Sequence, residues 1–219
     1  MTGGRGEDGL SAQAMSGDED LVLPEFDQPP ADPLRLLRGW LRDAATCGVR
    51  EPAAVVLATV DPTGHPSTRT VLLKDCDGDG LVVSGSHGSR KGCDLAVVPW
   101  AAVTLYWRET LQQVNVAGRV HALPDEAADA LFAERPRAAQ AAVTVSSQGA
   151  ELYDEDALRA AAQELAAAGP DVLARPATWG AWRLVPDHVE FWHGRRHRLH
   201  RRLAYTRDGT GWSARRLQP

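Results

Sequence analysis

Between Ala53 and Leu123 the chain alternates short β-branched runs with clusters of turn-forming residues, a spacing that suits strands and little else. AAVVLATVD gives way to the turn DPTGHP, then STRTVLLKD, then the turn DGDG, then LVVSGS, an order that predicts a three-strand meander. AAVTLYWRE and LQQVNVAGRVHAL follow almost without a break and read as a further antiparallel pair, for a sheet of about five strands. Helical spacing flanks them. In PLRLLRGWLRDAATCG, Leu34, Leu37, Trp40 and Leu41 recur every three or four residues, Asp32 before Pro33 is an N-cap, and Gly48 is a stop. DEAADALFAER, from Asp125 to Arg135, predicts a short helix, and EDALRAAAQELAAAG a second one ending at Gly169. TWGAWRLVP and HVEFWHG return to strand character, and RRLAYTRDGTGWSARRL predicts a closing hairpin around Asp208 and Gly209. Short antiparallel strands with peripheral helices predict a closed or split β-barrel, in the mainly-β or α+β class.

With 219 residues, 43% of them hydrophobic, the chain has material for one core. Residues 1–22 are rich in glycine and acid and are expected to form a flexible tail, leaving 23–219 as one domain. The longest apolar runs fall short of the roughly 20 residues of a membrane span, and the N-terminal segment lacks the apolar stretch of a signal peptide. Cys47, Cys76 and Cys93 form no CxxC and suit reduced thiols, so the expectation is a cytoplasmic protein without a disulfide or zinc scaffold. A net charge of -5 argues against wholesale wrapping of nucleic acid, which leaves the local basic run near the C-terminus to be explained.

Whole reaction classes are missing their signatures. No GxGxxG opens a helix after a strand, GSHGSRKG lacks phosphate-loop spacing, and no GxSxG is present. His193, His197 and His200 are interleaved with arginines that repel a divalent cation, so no metal site is expected. Composition leaves three readings open for Arg195 to Arg202: a solvated loop, a small-anion site, or a nucleic-acid contact. Further cations favour the small anion: Arg69 and Lys74 on one strand, and Arg90 and Lys91 in SRKG, with Ser84 and Ser89 as hydroxyl donors. Strand alternation puts Arg69 and Lys74 on opposite faces, so they cannot share a ligand by side chain alone. As strand-end surface charges they would need no ligand at all.

RTVLLK from Arg69 to Lys74, SRKG, YWRETLQQV, RPR from Arg135 to Arg137, and VEFWHGRRHRLHRR resemble, in order and at fitting spacing, the pyridoxamine 5'-phosphate oxidase family. The resemblance implies a split-barrel homodimer that binds FMN at the subunit interface. Arg69, Arg90 and Lys91 resemble the groups that hold the FMN phosphate, with Ser84 and Gly85 beside them. The backbone of Arg69, Thr70, Val71 and Leu72 would line the flavin, and Gln113, Gln148, Trp192 and Arg202 resemble its contacts from other strands and the partner subunit. Arg198 and His200 resemble the substrate-facing catalytic pair above the flavin, His200 with the capacity to help remove a proton.

The departures have a direction. Of the four groups with which the pyridoxal phosphate-forming oxidase grips its substrate's phosphate, Lys74 and Arg135 match, while Leu131 and Ala139 replace a tyrosine and a serine. Arg201 and Gly149 replace an aspartate and a serine. LPEFDQPPADPLRLLRGWL, GVREP, the paired glutamines of YWRETLQQV and the terminal LQP are more similar to the phenazine-biosynthesis flavin oxidase branch of the family. That branch implies oxidation of reduced phenazine carboxylic acid precursors, with O2 as acceptor and H2O2 as product. Lys74, Leu131, Arg135, Ala139, Arg198 and His200 would then form a flatter, more apolar site for a small aromatic carboxylate. Pyridoxine or pyridoxamine 5'-phosphate oxidation is the alternative.

Overall fold

The structure, a computed structural model, describes residues 16–168 and 173–219. Helix α1 (Pro33–Thr46) begins where expected, with the Asp32 carboxylate accepting from the backbone N–H groups of Leu34 and Arg35. Its apolar stripe, Leu34, Leu37, Trp40 and Ala44, is buried in the barrel core. Trp40 meets Phe26, Trp107 and Phe191 there at ring-centroid distances of 6.1, 6.4 and 4.9 Å, so this helix closes one end of the barrel with aromatic packing.

The strands are β1 (Ala54–Val60), β2 (Pro66–Leu72), β3 (Asp75–Cys76), β4 (Leu81–Ser86), β5 (Trp100–Trp107), β6 (Gln112–Ala122), β7 (Trp179–His193), β8 (Arg201–Asp208) and β9 (Gly211–Leu217). They form one antiparallel sheet of order β2-β1-β5-β6-β7-β4-β3, with β8 and β9 added beside β7. β5 and β6 pair as expected, and β8 turns into β9 where Asp208 opposes Gly211. The expected meander forms only in part: its first two strands pair, but only the end of the second run, Lys74 and Asp75, pairs with the third across DGDG. β2 pairs with β1, whereas β4 leaves it and pairs with β7, and the DGDG turn joins β3 to β4. The reason is burial: Leu81, Val82 and Val83 are all buried, so this strand needs cover on both faces, and β7 sets Leu184 and Trp182 against Leu81 and Val83.

The two C-terminal strand runs are one strand, β7. Its first half pairs with β4 and its second half with β8, and the register shifts by a bulge between Ala117 and Gly118 of β6. Gly118 is required there, because a Cβ would lie 2.0 Å from the Val185 carbonyl oxygen. Alternation lets the first half of β7 serve two cores, and the bulge shifts the alternation so that the second half returns to the barrel core. Trp182, Leu184, Val189 and Phe191 fill the barrel, while Trp179 and Ala181 pack with Phe132, Ala128 and Ala141 under helices α3 (Asp125–Ala133) and α4 (Arg137–Val145).

Helix α4, and α2 (Arg90–Val97) with its Ser89 cap, have no counterpart in the sequence expectation; α5 (Glu155–Ala167) does, its expected end at Gly169 lying outside the described residues. Of the segment expected to be loose, 1–15 also lie outside the described residues. Its remainder is docked: the Asp18 N–H donates to the Glu109 carbonyl at 2.8 Å, and the Glu19 carboxylate accepts from the Arg196 backbone N–H at 2.7 Å. No helix among the described residues is long and apolar enough to cross a membrane.

Candidate functional site

A cleft of about 530 Å³ opens between the ends of β2 and β4, the start of α2, and α4. Its cations share an unusual property. Lys91 is only 5% exposed, and its ammonium donates to the Ser89 hydroxyl at 2.9 Å with no carboxylate paired to it among the described residues. Gly85 makes that position possible, since a Cβ there would lie 2.6 Å from Lys91 Nζ. Burial first, and the nearby Arg69 guanidinium second, hold the Lys91 pKa below the ordinary lysine value. On the opposite wall, Arg135 lies over the Trp179 ring at 5.4 Å and donates to the Ala139 carbonyl at 3.3 Å. Its Nε is buried without a hydrogen-bond partner among the described residues, and burial lowers its pKa. Two desolvated cations and an unanswered donor in one cleft describe an anion site.

Around these charges the lining is small or apolar. Ala139, Ala142, Val143 and Ser146 follow the period of α4 and form one wall, with Trp179 from β7 beside them. Val71, Leu72, Lys74, Ser84, Gly85 and Gln148 complete the parts expected from sequence. Ala142, Val143, Ser146 and Trp179 were not anticipated; the three- and four-residue spacing after Pro136 is the signal that carries the first three. Leu131 is not in the lining, being packed against the core under α3.

Arg69 lies beyond Lys91, donating to the Leu57 carbonyl and to the hydroxyls of Thr59 and Ser67 at 3.2, 2.8 and 2.6 Å. Arg90 is exposed and 4.0 Å from Asp61. The alternation expected for β2 holds: Arg69 and Val71 turn inward, Thr70 and Leu72 outward.

A second group of expected site residues gathers elsewhere. Gln113, Trp192 and Arg202 stand side by side across β6, β7 and β8. The His200 ring lies 4.8 Å from that of Trp192, and Arg202 makes a two-pronged ion pair with Glu190 at 2.7 and 3.0 Å. The basic run is largely engaged within the chain: Arg195 donates to the Glu19 carbonyl, Arg196 pairs with the Glu19 carboxylate, and Arg201 pairs with Asp27. Arg198 is the exception, its side chain having no acceptor among the described residues, and its φ of 67° places it in the left-handed region. A residue held there costs about 1–2 kcal/mol, as at Glu51 and Leu111, which share that conformation.

His200 is oriented by that loop. Its Nδ1 accepts from the Arg195 backbone N–H at 3.0 Å, so in the neutral ring the proton sits on Nε2. Burial, then Arg198 and His197, lower its pKa, which favours the neutral ring and leaves Nε2–H as its free donor.

Trp179 and Trp192 occupy opposite ends of the 15-residue β7, roughly 40 Å apart along its extended path. The cleft and the second group therefore lie at opposite ends of one strand. The outer sheet face between them is largely uncharged: Thr70, Val56, Thr104 and Asn115 stand in register, with Val56 and Leu72 43% and 51% exposed.

Comparison with known proteins supplies the context. A family model described as Pyridoxamine 5'-phosphate oxidase matches residues 41–168, and one described as Pyridoxine 5'-phosphate oxidase C-terminal dimerisation region matches residues 179–219. The dihydrophenazinedicarboxylate synthase of Pseudomonas chlororaphis is 44% identical, the match covering 95% of this chain and 93% of that protein. The pyridoxine/pyridoxamine 5'-phosphate oxidase of Rubrobacter xylanophilus is 43% identical over 88% and 89%. Among solved structures, PhzG from Burkholderia lata 383 in complex with tetrahydrophenazine-1-carboxylic acid is similar at a TM-score of 0.89 and 41% identity, covering 93% of this chain and 100% of that one.

Proposed function

The chain belongs to the pyridoxamine 5'-phosphate oxidase family, and we propose that it is an FMN-dependent homodimeric oxidase that aromatises reduced phenazine carboxylic acid precursors. Overall identity barely separates the two activities among its relatives, so the weight falls on the cleft. The observation that carries the reading is an anion site with an apolar wall: Lys74 and Arg135, the latter with no counter-anion among the described residues, faced by Ala139, Ala142, Val143 and Trp179. A phosphorylated substrate needs several converging donors, and Ala139 withholds one. A flat aromatic acid needs apolar area and one or two cations.

The donor set fits FMN. Arg69, Arg90, Lys91 and the N-terminus of α2 would hold its phosphate, the β2 backbone from Arg69 to Leu72 and Ser84, Gly85 and Gln148 would line it, and Gln113, Trp192 and Arg202 would come from the second protomer. Bound FMN supplies a two-electron acceptor that O2 reoxidises with release of H2O2. The chain's own residues position the substrate. Lys74 and Arg135 pair with its carboxylate from one protomer, and Arg198 and the His200 Nε2–H address it from the other, over a surface from which Trp179 and α4 exclude water. The uncharged outer sheet face and the match to a dimerisation region support the pairing of protomers. Three free cysteines suit a reducing, cytoplasmic setting.

The test is anaerobic mixing of the FMN-loaded protein with a reduced phenazine carboxylate or with pyridoxamine 5'-phosphate, following flavin bleaching. Fast bleaching by the phenazine acid and slow bleaching by the phosphate is the expected result; the reverse order selects the vitamin-forming activity instead. Ala139→Ser restores one donor to the cleft and should raise kcat/KM for pyridoxamine phosphate about tenfold, with little change for the phenazine acid.

A further inference from the structure

Asp94, on α2, is 5% exposed and faces two strands. One of its oxygens, Oδ2, accepts from Thr59 Oγ1 of β1 at 2.6 Å and from Ser67 Oγ of β2 at 3.2 Å. A hydroxyl has one proton and two lone pairs. With both protons committed to Asp94, both hydroxyls must turn lone pairs outward, and Arg69 meets them: Nη1 donates to Thr59 at 2.8 Å and Nη2 to Ser67 at 2.6 Å. Nη1 also donates to the Leu57 carbonyl at 3.2 Å. Three of the five N–H groups of a guanidinium are thereby engaged. The two that remain, on Nε and Nη2, lie along one edge of the plane, the pair with which arginine takes a phosphate side-on.

The geometry points to Asp94 as a positioning residue for the FMN phosphate, acting through the Thr59 and Ser67 hydroxyls to fix which edge of Arg69 is offered. This rests on the FMN-phosphate reading of Arg69 given above. Without the carboxylate, each hydroxyl is free to rotate its proton toward the guanidinium, and Arg69 loses the acceptors that pin it among its many rotamers. Asp94 sits one turn along the helix whose first residues, Ser89, Arg90 and Lys91, make the rest of the anion site, so one carboxylate sets α2 and β2 in register around it.

The experiment compares FMN with riboflavin, which shares the ring and lacks the phosphate, by quenching of flavin fluorescence on binding. Thr59→Val, Ser67→Ala and Asp94→Asn are each expected to weaken FMN binding about tenfold while leaving riboflavin binding unchanged. Ser67→Ala and Asp94→Asn together should lose no more than the worse single change, because both break the same relay. Ser67→Ala removes one partly exposed oxygen and keeps the test open should a substitution at Asp94 prevent folding. Equal losses for FMN and riboflavin would mean a merely structural role, and unchanged FMN binding in all three variants would mean none; either overturns the assignment. Unsubstituted protein that binds FMN no better than riboflavin overturns the phosphate-site reading itself, and this inference with it.

Discussion

Replacing Lys91 with methionine should make the flavin-free protein more stable and weaken its binding of FMN. The side chain is buried, its ammonium answers to a single hydroxyl, and Arg69 stands near enough to repel it. A methionine of similar length leaves no charge to desolvate, so the apoprotein should gain about 1 kcal/mol, a few degrees in Tm. FMN loses a charge-assisted hydrogen bond in a low-dielectric site, which raises its Kd about 10- to 100-fold. Calorimetry of the apoprotein with a parallel flavin titration reads both. The pH dependence has a definite sign. Because the folded-state pKa lies below the unfolded one, the unfolded chain binds more protons between the two values, and stability rises with pH through that alkaline window. Lys91→Met should abolish that rise. A variant that loses stability while keeping FMN affinity would show that Lys91 serves packing alone.

Mixing two inactive variants should restore activity. Lys91→Met damages the cleft half-site, and Arg198→Ala damages the group at the far end of β7. If each site joins the cleft of one protomer to the Arg198 loop of the other, both homodimers are inactive at every site. A heterodimer then concentrates both defects in one site and leaves the other intact. Unfolding and refolding an equal mixture should restore about a quarter of the sites, since half of the dimers are mixed. Variants refolded separately and then combined without exchange are the control. A site built within one chain recovers nothing, so no recovery after verified heterodimer formation would sink the two-protomer arrangement.

The helix over Leu34 to Leu41 was legible because a cap, a period and a stop agree, and the hairpin at Asp208–Gly209 because its turn residues leave little choice. The β4 pairing was not legible. LVVSGS carries no mark of its partner, and only the need to cover three consecutive buried residues sends it to β7, about a hundred residues later in the chain. Helix α4 was hidden because its helix-favouring alanines span barely two turns, have no capping side chain at the start and run into the strand-favouring Val143, Thr144 and Val145, and with it went the apolar wall of the cleft.

Residue types and their spacing along the chain were enough to indicate a barrel and to favour a small-anion site; FMN and a substrate site short of phosphate donors were legible only through the resemblance to a family. Chemical kind is a local property, so Arg69, Lys91 and Arg135 carry their charge wherever they fold. Which groups meet is decided by the path of the sheet. The length of β7 sets Trp179 and Trp192 at opposite ends, its alternating faces serve two cores, and the bulge after Pro186 keeps Val189 and Phe191 in the same core as Trp182 and Leu184. The same folding pairs Arg195, Arg196, Arg201 and Arg202 with acceptors inside the chain and leaves Arg198 outside that network. Burial and charge pairing depend on contacts between residues far apart in sequence, and tertiary structure alone supplies them.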